Sequence, residues 1–229
     1  MITILHGDDI AASREKYLEE KNKATNPIEF RGDKLELSDL KQSAEGGSLF
    51  NEEKEIFIET LLSGRKKSKQ IEELIDYLNN QNGNLKIFIW ENDELTKTQL
   101  SVYKKADLRL FKLSQTLFQF LDSIKPNNIQ NVSLFHTALT NSSAEIIFFM
   151  LIRQFRLLLA LTDSSSQTID EVKRLAPWQR GKLERQAKLF GQNKLKEIYK
   201  KLYEIDYKIK SGQTAFSLTQ AIDFLLAEI

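Results

Sequence analysis

Strand-like and helix-like segments alternate along the first half of this chain, and from Ser114 onward nothing strand-like remains. That change of pattern limits the available folds more than any other feature. Residues 2–5, 28–30, 56–58, 85–90 and 107–112 are short runs rich in β-branched and aromatic residues, and they read as strands. Residues 13–21, 37–44 and 68–78 between them read as helices, and Thr96 with Gln99 has the spacing of a capping box that opens another. Strands separated by helices pair in parallel, so a helix-flanked parallel sheet is expected.

The second half reads as helix throughout. Ser142 and Glu145 have capping-box spacing and open a long apolar helix that runs to about Leu161, followed by a polar linker over 162–167. Pro177 stands where a first helical residue is favoured and Gly191 where a helix stops. Leu195, Ile198, Leu202, Ile205 and Ile209 recur at alternating spacings of three and four, one apolar stripe that ends at Gly212. Ser217 and Gln220 cap a last helix with Leu218, Ile222, Leu225 and Ile229 inward. The expected organisation is an α/β domain over 1–112, a linker helix over 113–125 and an all-α domain over 126–229, with 125–128 as the boundary.

The first strand leads into a loop, His6-Gly7-Asp8-Asp9, in the position a phosphate-binding loop takes in nucleotide-binding proteins. Such a loop needs glycines for backbone approach, a lysine for the phosphates and a Ser/Thr for magnesium. Here two aspartates follow one glycine, and no Gly-Lys-Ser/Thr triplet occurs in the chain. Asp8 or Asp9 reads instead as a helix cap. Two histidines, His6 and His136, fall in different expected domains, so a histidine-based triad or metal site is unsupported, and His6 reads as a packed residue. The acidic run 91–94 follows a strand where a magnesium-holding pair could sit; without a phosphate loop it reads as a solvated turn. No catalytic residue, metal site or cofactor is expected.

Zero cysteines exclude disulfides and suit a reducing cytoplasm. The longest apolar stretch, 146–161, is interrupted by Arg153, Gln154 and Arg156 and reads as a core helix, not a membrane span. Arg153 and Arg156 share a helix face, either at a packing seam or at an intersubunit contact. Charge is uneven: residues 1–125 carry 19 Lys/Arg and 22 Asp/Glu, and residues 126–229 carry 14 and 10. Residues 173–201 hold ten basic side chains, Arg180, Lys182, Arg185 and Lys188 among them, against Glu184 and Glu197. This is either a solvated helix face or a patch facing DNA or a protein.

Leu49 and Phe50 stand together between Gly46-Gly47-Ser48 and the run Asn51-Glu52-Glu53-Lys54. They read either as a buried cap on the preceding helix or as an exposed apolar plug for a partner's pocket.

Taken in order, these features resemble the delta subunit of the bacterial DNA polymerase III clamp loader. The resemblance rests on Gly7-Asp8-Asp9 in place of a working phosphate loop, and on Ser48-Leu49-Phe50 before the strand at 56–58. It also rests on Arg153-Gln154-Phe155-Arg156, on the run 182–187, and on the ending Leu202, Asp206, Lys210 and Gly212. The resemblance implies an ATPase-like fold without ATP hydrolysis joined to a helical collar, within a hetero-oligomeric DNA polymerase (nucleotidyltransferase) holoenzyme. It implies that Ser48, Leu49 and Phe50 bind the sliding clamp, and that Arg153, Phe155, Arg156, Leu202, Asp206 and Lys210 serve assembly with other loader subunits. DNA would be met through the assembled complex, with no membrane involved. Burying two such apolar side chains contributes roughly 3–6 kcal/mol before costs, enough for an anchor. The family's three-helix lid has room here for one helix only, over 114–124. The competing expectation is a stand-alone nucleic-acid-binding protein that uses the basic region 173–201.

Overall fold

The structure, a computed structural model of the chain, describes residues 1–45, 54–63, 68–81, 85–162 and 169–229. It divides into two compact units, Met1–Leu113 and Ser114–Ile229.

The first unit is built on β1 (Ile2–Gly7), β2 (Pro27–Arg31), β3 (Lys54–Glu59), β4 (Leu85–Trp90) and β5 (Ala106–Phe111). They form one parallel sheet in the order β2-β3-β4-β1-β5, with Ile4 opposite both Ile89 and Leu108 and Ile56 opposite Ile87. Alternate residues of each strand go to opposite faces. Ile4, Ile56, Ile58, Ile87 and Ile89 enter a core with Leu40, Ile71, Leu74 and Leu78, which come from α2 (Leu37–Glu45) and α3 (Lys69–Asn79). Leu5, Phe57, Phe88 and Trp90 enter a second core with Tyr17 of α1 (Ile10–Lys23). Burial on both faces explains the apolar runs 56–58 of β3 and 87–90 of β4. Ser68 caps α3 through the Ile71 N–H, and the Thr96–Gln99 capping box opens the short α4 (Lys97–Leu100).

The second unit contains α5 (Gln115–Ser123), α6 (Gln130–Leu139), α7 (Ala144–Thr162), α8 (Asp170–Lys173), α9 (Pro177–Lys210) and α10 (Leu218–Glu228). α7 and α9 form its spine; Phe155 of α7 meets Phe190 of α9 edge-on with ring centroids 5.6 Å apart. A polar relay crosses this apolar interior. Gln154 Nε2 donates to Gln186 Oε1 at 2.6 Å, and Gln186 Nε2 donates to the carbonyls of Leu121 and Ile124 at 2.9 and 3.0 Å. Both glutamines are buried, so the relay satisfies the open C-terminal carbonyls of α5 without water.

Two local expectations change, and one holds. Ser143, not Ser142, begins α7: its carbonyl accepts from Ile147 N and its hydroxyl from Ile146 N, while Ser142 Oγ turns to Ser114 Oγ. Two adjacent serines make the capping frame ambiguous by one residue, and the Ser114 contact decides it. The stop signal at Gly191 holds: its φ of 72° and ψ of 158° leave helical geometry, so α9 consists of two helical segments that meet at a kink there. Phe190 and Leu195, on either side of the kink, are both buried. Residues 125–128 form a tight turn between α5 and α6 within the second unit. There Asn127 has φ 55° and donates its N–H to the Ile229 carbonyl, and buried Asn131 brackets the Lys125 backbone.

Gln186→Ala would leave two carbonyls and the Gln154 amide without their buried partner. It should lower stability by about 2–4 kcal/mol in urea unfolding, since each orphaned polar group costs roughly 1–3 kcal/mol when water does not replace the bond. Gln154→Ala, which breaks one bond of the relay, should cost less. The two changes together should cost measurably less than their sum.

Candidate functional site

The stretch that contains Ser48, Leu49 and Phe50 lies outside the described residues, but its flanks are defined. Lys54, the first residue of β3, extends its ammonium back to the carbonyls of Ser43 and Ala44 at 3.1 and 3.0 Å. The end of α2 and the start of β3 are therefore tied to one another.

At the carboxyl edge of the sheet, where open α/β folds place ligands, the polar groups are already engaged. A Cβ at Gly7 would fall 1.8 Å from the Phe111 carbonyl oxygen, so only glycine fits this approach of β1 to β5. Asp8 Oδ1 accepts from Leu113 N at 2.8 Å, and Asp9 N donates to Phe111 O at 3.1 Å. Asp9 Oδ1 accepts from Ala12 N at 3.0 Å and caps α1. Both aspartates thus serve structure, with Asp9 the helix cap. Arg14 bridges to Glu59 at the end of β3 at 2.8 Å and lies 4.5 Å from the Trp90 ring centroid. Trp90 Nε1 donates to Ser13 Oγ at 3.1 Å.

His6 is buried, and its Nδ1 accepts from Leu95 N at 3.1 Å, which leaves the ring proton on Nε2. Burial lowers its pKa, with Glu94 opposing the shift. The reading of residues 91–94 as a solvated turn fails at its first residue. Glu91 is fully buried; its carboxylate accepts from Leu62 N, Ser63 N and Ser63 Oγ at 2.8, 2.9 and 2.5 Å. Burial raises its pKa against these bonds. Asp93 and Glu94 are exposed. Nothing local separates Glu91 from its acidic neighbours; it is distinguished only by β3–β4 pairing, which brings 62–63 to it. Among the described residues, no cluster of three or more metal-ligating side chains occurs.

In the second unit, Arg153 Nε and an Arg156 terminal nitrogen grip the two oxygens of Glu171 at 2.5 and 2.6 Å, which fastens α8 to α7. Phe155 and Leu202 are fully buried and present no surface. Lys210 pairs with Asp206 at 2.8 Å along α9. Arg180 pairs with Glu184 at 2.8 Å, and Lys182 pairs with Asp122 of α5. Arg185 and Lys188 are exposed and form no ion pair among the described residues. The end of α9 and α10 frame an apolar groove of about 500 Å³, with Ile205, Ile209 and Leu225 in its walls. Phe216 and Phe224, both more than half exposed, stack edge-to-face beside it at 5.1 Å. The sequence pattern did not single out this pair, because Phe224 falls between the inward positions of α10.

This helical arrangement has a known counterpart. Residues 114–228 match the family described as DNA polymerase III delta subunit, C-terminal domain. The chain belongs to that family. Among solved structures, the Bacillus subtilis DNA clamp loader delta protein aligns over 98% of this chain and 94% of its own, at 14% identity and a TM-score of 0.46. A Thermotoga maritima DNA polymerase III gamma subunit-related protein aligns over 99% and 93%, at 11% identity and a TM-score of 0.37. No curated protein matches the chain. Family membership assigns this chain to the delta-type subunits of the DNA polymerase III clamp loader, with a parallel α/β unit ahead of the matched helices. Among the described residues, no helix of this delta-family chain is long and apolar enough to cross a membrane.

The buried neutral His6 makes stability depend on pH. Its pKa is lowered in the fold, so its contribution is present above the unfolded value of 6.5 and is lost as pH falls below it. Melting temperature should therefore drop between about pH 8 and about pH 5. In His6→Asn, which cannot charge, this part of the drop should be absent.

Proposed function

We propose that the chain is the clamp-engaging subunit of its loader. Leu49 and Phe50 enter an apolar pocket on the sliding clamp and help to open the ring, and the helical unit joins the other loader subunits. The observation that carries this reading is the family match over 114–228 in a chain that also has Ser48-Leu49-Phe50 between α2 and β3. The Lys54 tie supports it: the end of α2 is joined to the start of β3, and a segment whose flanks are joined costs less to order on binding than a free one. In this reading the α/β unit works without nucleotide chemistry of its own, in the cytoplasm, and meets DNA through the assembled complex. The reduced lid corresponds to α5. Phe155 and Leu202 would serve assembly indirectly, by holding the shape of the helical unit. Arg153, Arg156, Asp206 and Lys210 already have intramolecular partners and would contribute at the rim.

Leu49→Ala with Phe50→Ala should weaken binding to the organism's own sliding clamp by roughly 2–5 kcal/mol in a titration, as truncated anchors do. The melting temperature should stay near that of the parent. A large fall in melting temperature would mean that the pair is core.

Assembly should depend on the aromatic pair beside the α9–α10 groove. Phe216→Ala with Phe224→Ala should reduce co-elution with the partner loader subunits on size exclusion while clamp binding persists. Unchanged co-elution would move the assembly surface elsewhere on the unit.

One observation favours a second role. Arg185 and Lys188 stand exposed without ion pairs among the described residues on the first part of α9, as cations that contact phosphate do. If the isolated chain binds DNA through them, affinity should fall steeply with salt.

A further inference from the structure

β5 is an edge strand, with β1 as its one pairing partner among the described residues. Which of its backbone groups face the open side follows from the bonds of β1. Leu5 O accepts from Glu91 N just past β4, so Leu5 and Thr3 turn toward β4, while Ile4 and His6 turn toward β5. In the β1–β5 register, with Phe111 O accepting from Asp9 N, the backbone groups of Asp107, Arg109 and Phe111 are directed at β1. Those of Ala106, Leu108 and Leu110 therefore point outward. Their side chains lie on the same face as Ile4, yet Leu108 and Leu110 are 47% and 46% exposed. Natural edges are commonly blunted by proline or lysine. Here the strand holds neither, and Lys104, Lys105 and Lys112 stand just outside it.

The sequence of β5 selects a second copy of itself for this edge. On the face opposite the leucines, Arg109 Nε donates to Asp107 Oδ2 at 2.9 Å, and the Arg109 guanidinium lies 3.7 Å from Glu20. Two copies running antiparallel about Leu108 set Asp107 of each against Arg109 of the other. The same register sets Leu108 against Leu108 and Ala106 against Leu110. The outward backbone groups of 106, 108 and 110 then bond one another, and the Asp–Arg pairs take the non-hydrogen-bonded positions, where side chains approach most closely. Moving the centre to 107 or 109 brings Asp107 onto Asp107 or Arg109 onto Arg109, so charge fixes the register. Beyond the strand Lys104 falls opposite Lys112, whose charge Glu94 already meets at 3.3 Å. We propose that the free edge of β5 is a self-pairing surface that joins two copies of this chain in a two-fold dimer. One short strand from each copy makes less contact than a standard interface, so the dimer is weak. It does not rest on the loader role.

Sedimentation velocity of the full chain up to about 100 μM, where weak specific interfaces register, tests this. The parent should show a monomer–dimer equilibrium, and hydrogen exchange of the Leu108 and Leu110 amides should slow as concentration rises. Asp107→Arg and Arg109→Asp should each weaken self-association about tenfold or more, since each sets like charges opposite one another. An equimolar mixture of the two variants should recover a dimer near the parent's strength, because arginine then meets aspartate at every crossing. A parent that stays monomeric, single variants that dimerise like the parent, or a mixture that stays monomeric would each overturn the proposal. Both substitutions fall on partly exposed side chains. If either variant fails to fold, the two amides of the parent decide: exchange that does not slow with concentration overturns the dimer.

Discussion

The helical half of this delta-family chain depends on one buried hydrogen-bond relay. Gln186 reaches from α9 to the open carbonyl end of α5 and is held in place by Gln154 of α7, so three helices share two amide groups. Apolar contacts between α7 and α9 tolerate small slides, because dispersion and burial are not directional. The relay does not tolerate them, since each displaced bond leaves a buried polar group unpaired. It therefore fixes how α5 and α9 lie against α7. The surrounding charges add to this order at the margin. Lys182 ties α9 to Asp122 of α5, and Glu171 holds α8 through Arg153 and Arg156, all in partly exposed positions where solvent weakens the pairing.

The α/β half follows a different constraint. Its sheet is parallel throughout, and the loop after β1 is drawn onto β5 through Asp8, Asp9 and the missing Cβ of Gly7. The backbone donors that would face a phosphate in a glycine-rich loop are spent partly on this stitching. Next to it, Arg14 is committed to Glu59 and to the Trp90 ring, and His6 to Leu95. An edge closed in this way serves as a rigid base. The Leu49-Phe50 stretch falls in the sequence between α2 and β3 of this unit.

The fold was largely legible from sequence because both halves obey simple periodicities. Central strands of a parallel sheet are buried on both faces, so residues 56–58 and 87–90 appear as unbroken apolar runs. Ser68, the Thr96–Gln99 pair and the Ser217–Gln220 pair mark helix starts through hydrogen bonds only a few residues long, which sequence spacing records. Contacts distant in sequence were hidden. In Arg153-Gln154-Phe155-Arg156 the arginines draw notice, yet the glutamine makes the buried bond, and nothing local says that it meets Gln186. Glu91 sits in an acidic run that reads as solvated until β3 is placed beside β4. The candidate site was legible only as a pattern: two large apolar residues between glycines and acids, with flanks that the structure ties together through Lys54.

The account joins a recognisable helical half to an α/β half whose use is inferred from Ser48-Leu49-Phe50, and binding of the clamp is the claim that links them. Titration of the purified full-length chain with the organism's own sliding clamp, followed by calorimetry, tests it most directly. The account predicts a saturable one-to-one complex per clamp interface with a negative heat-capacity change, the mark of apolar burial. No complex with the folded chain at concentrations of about 100 μM, where even weak specific interfaces register, would contradict it.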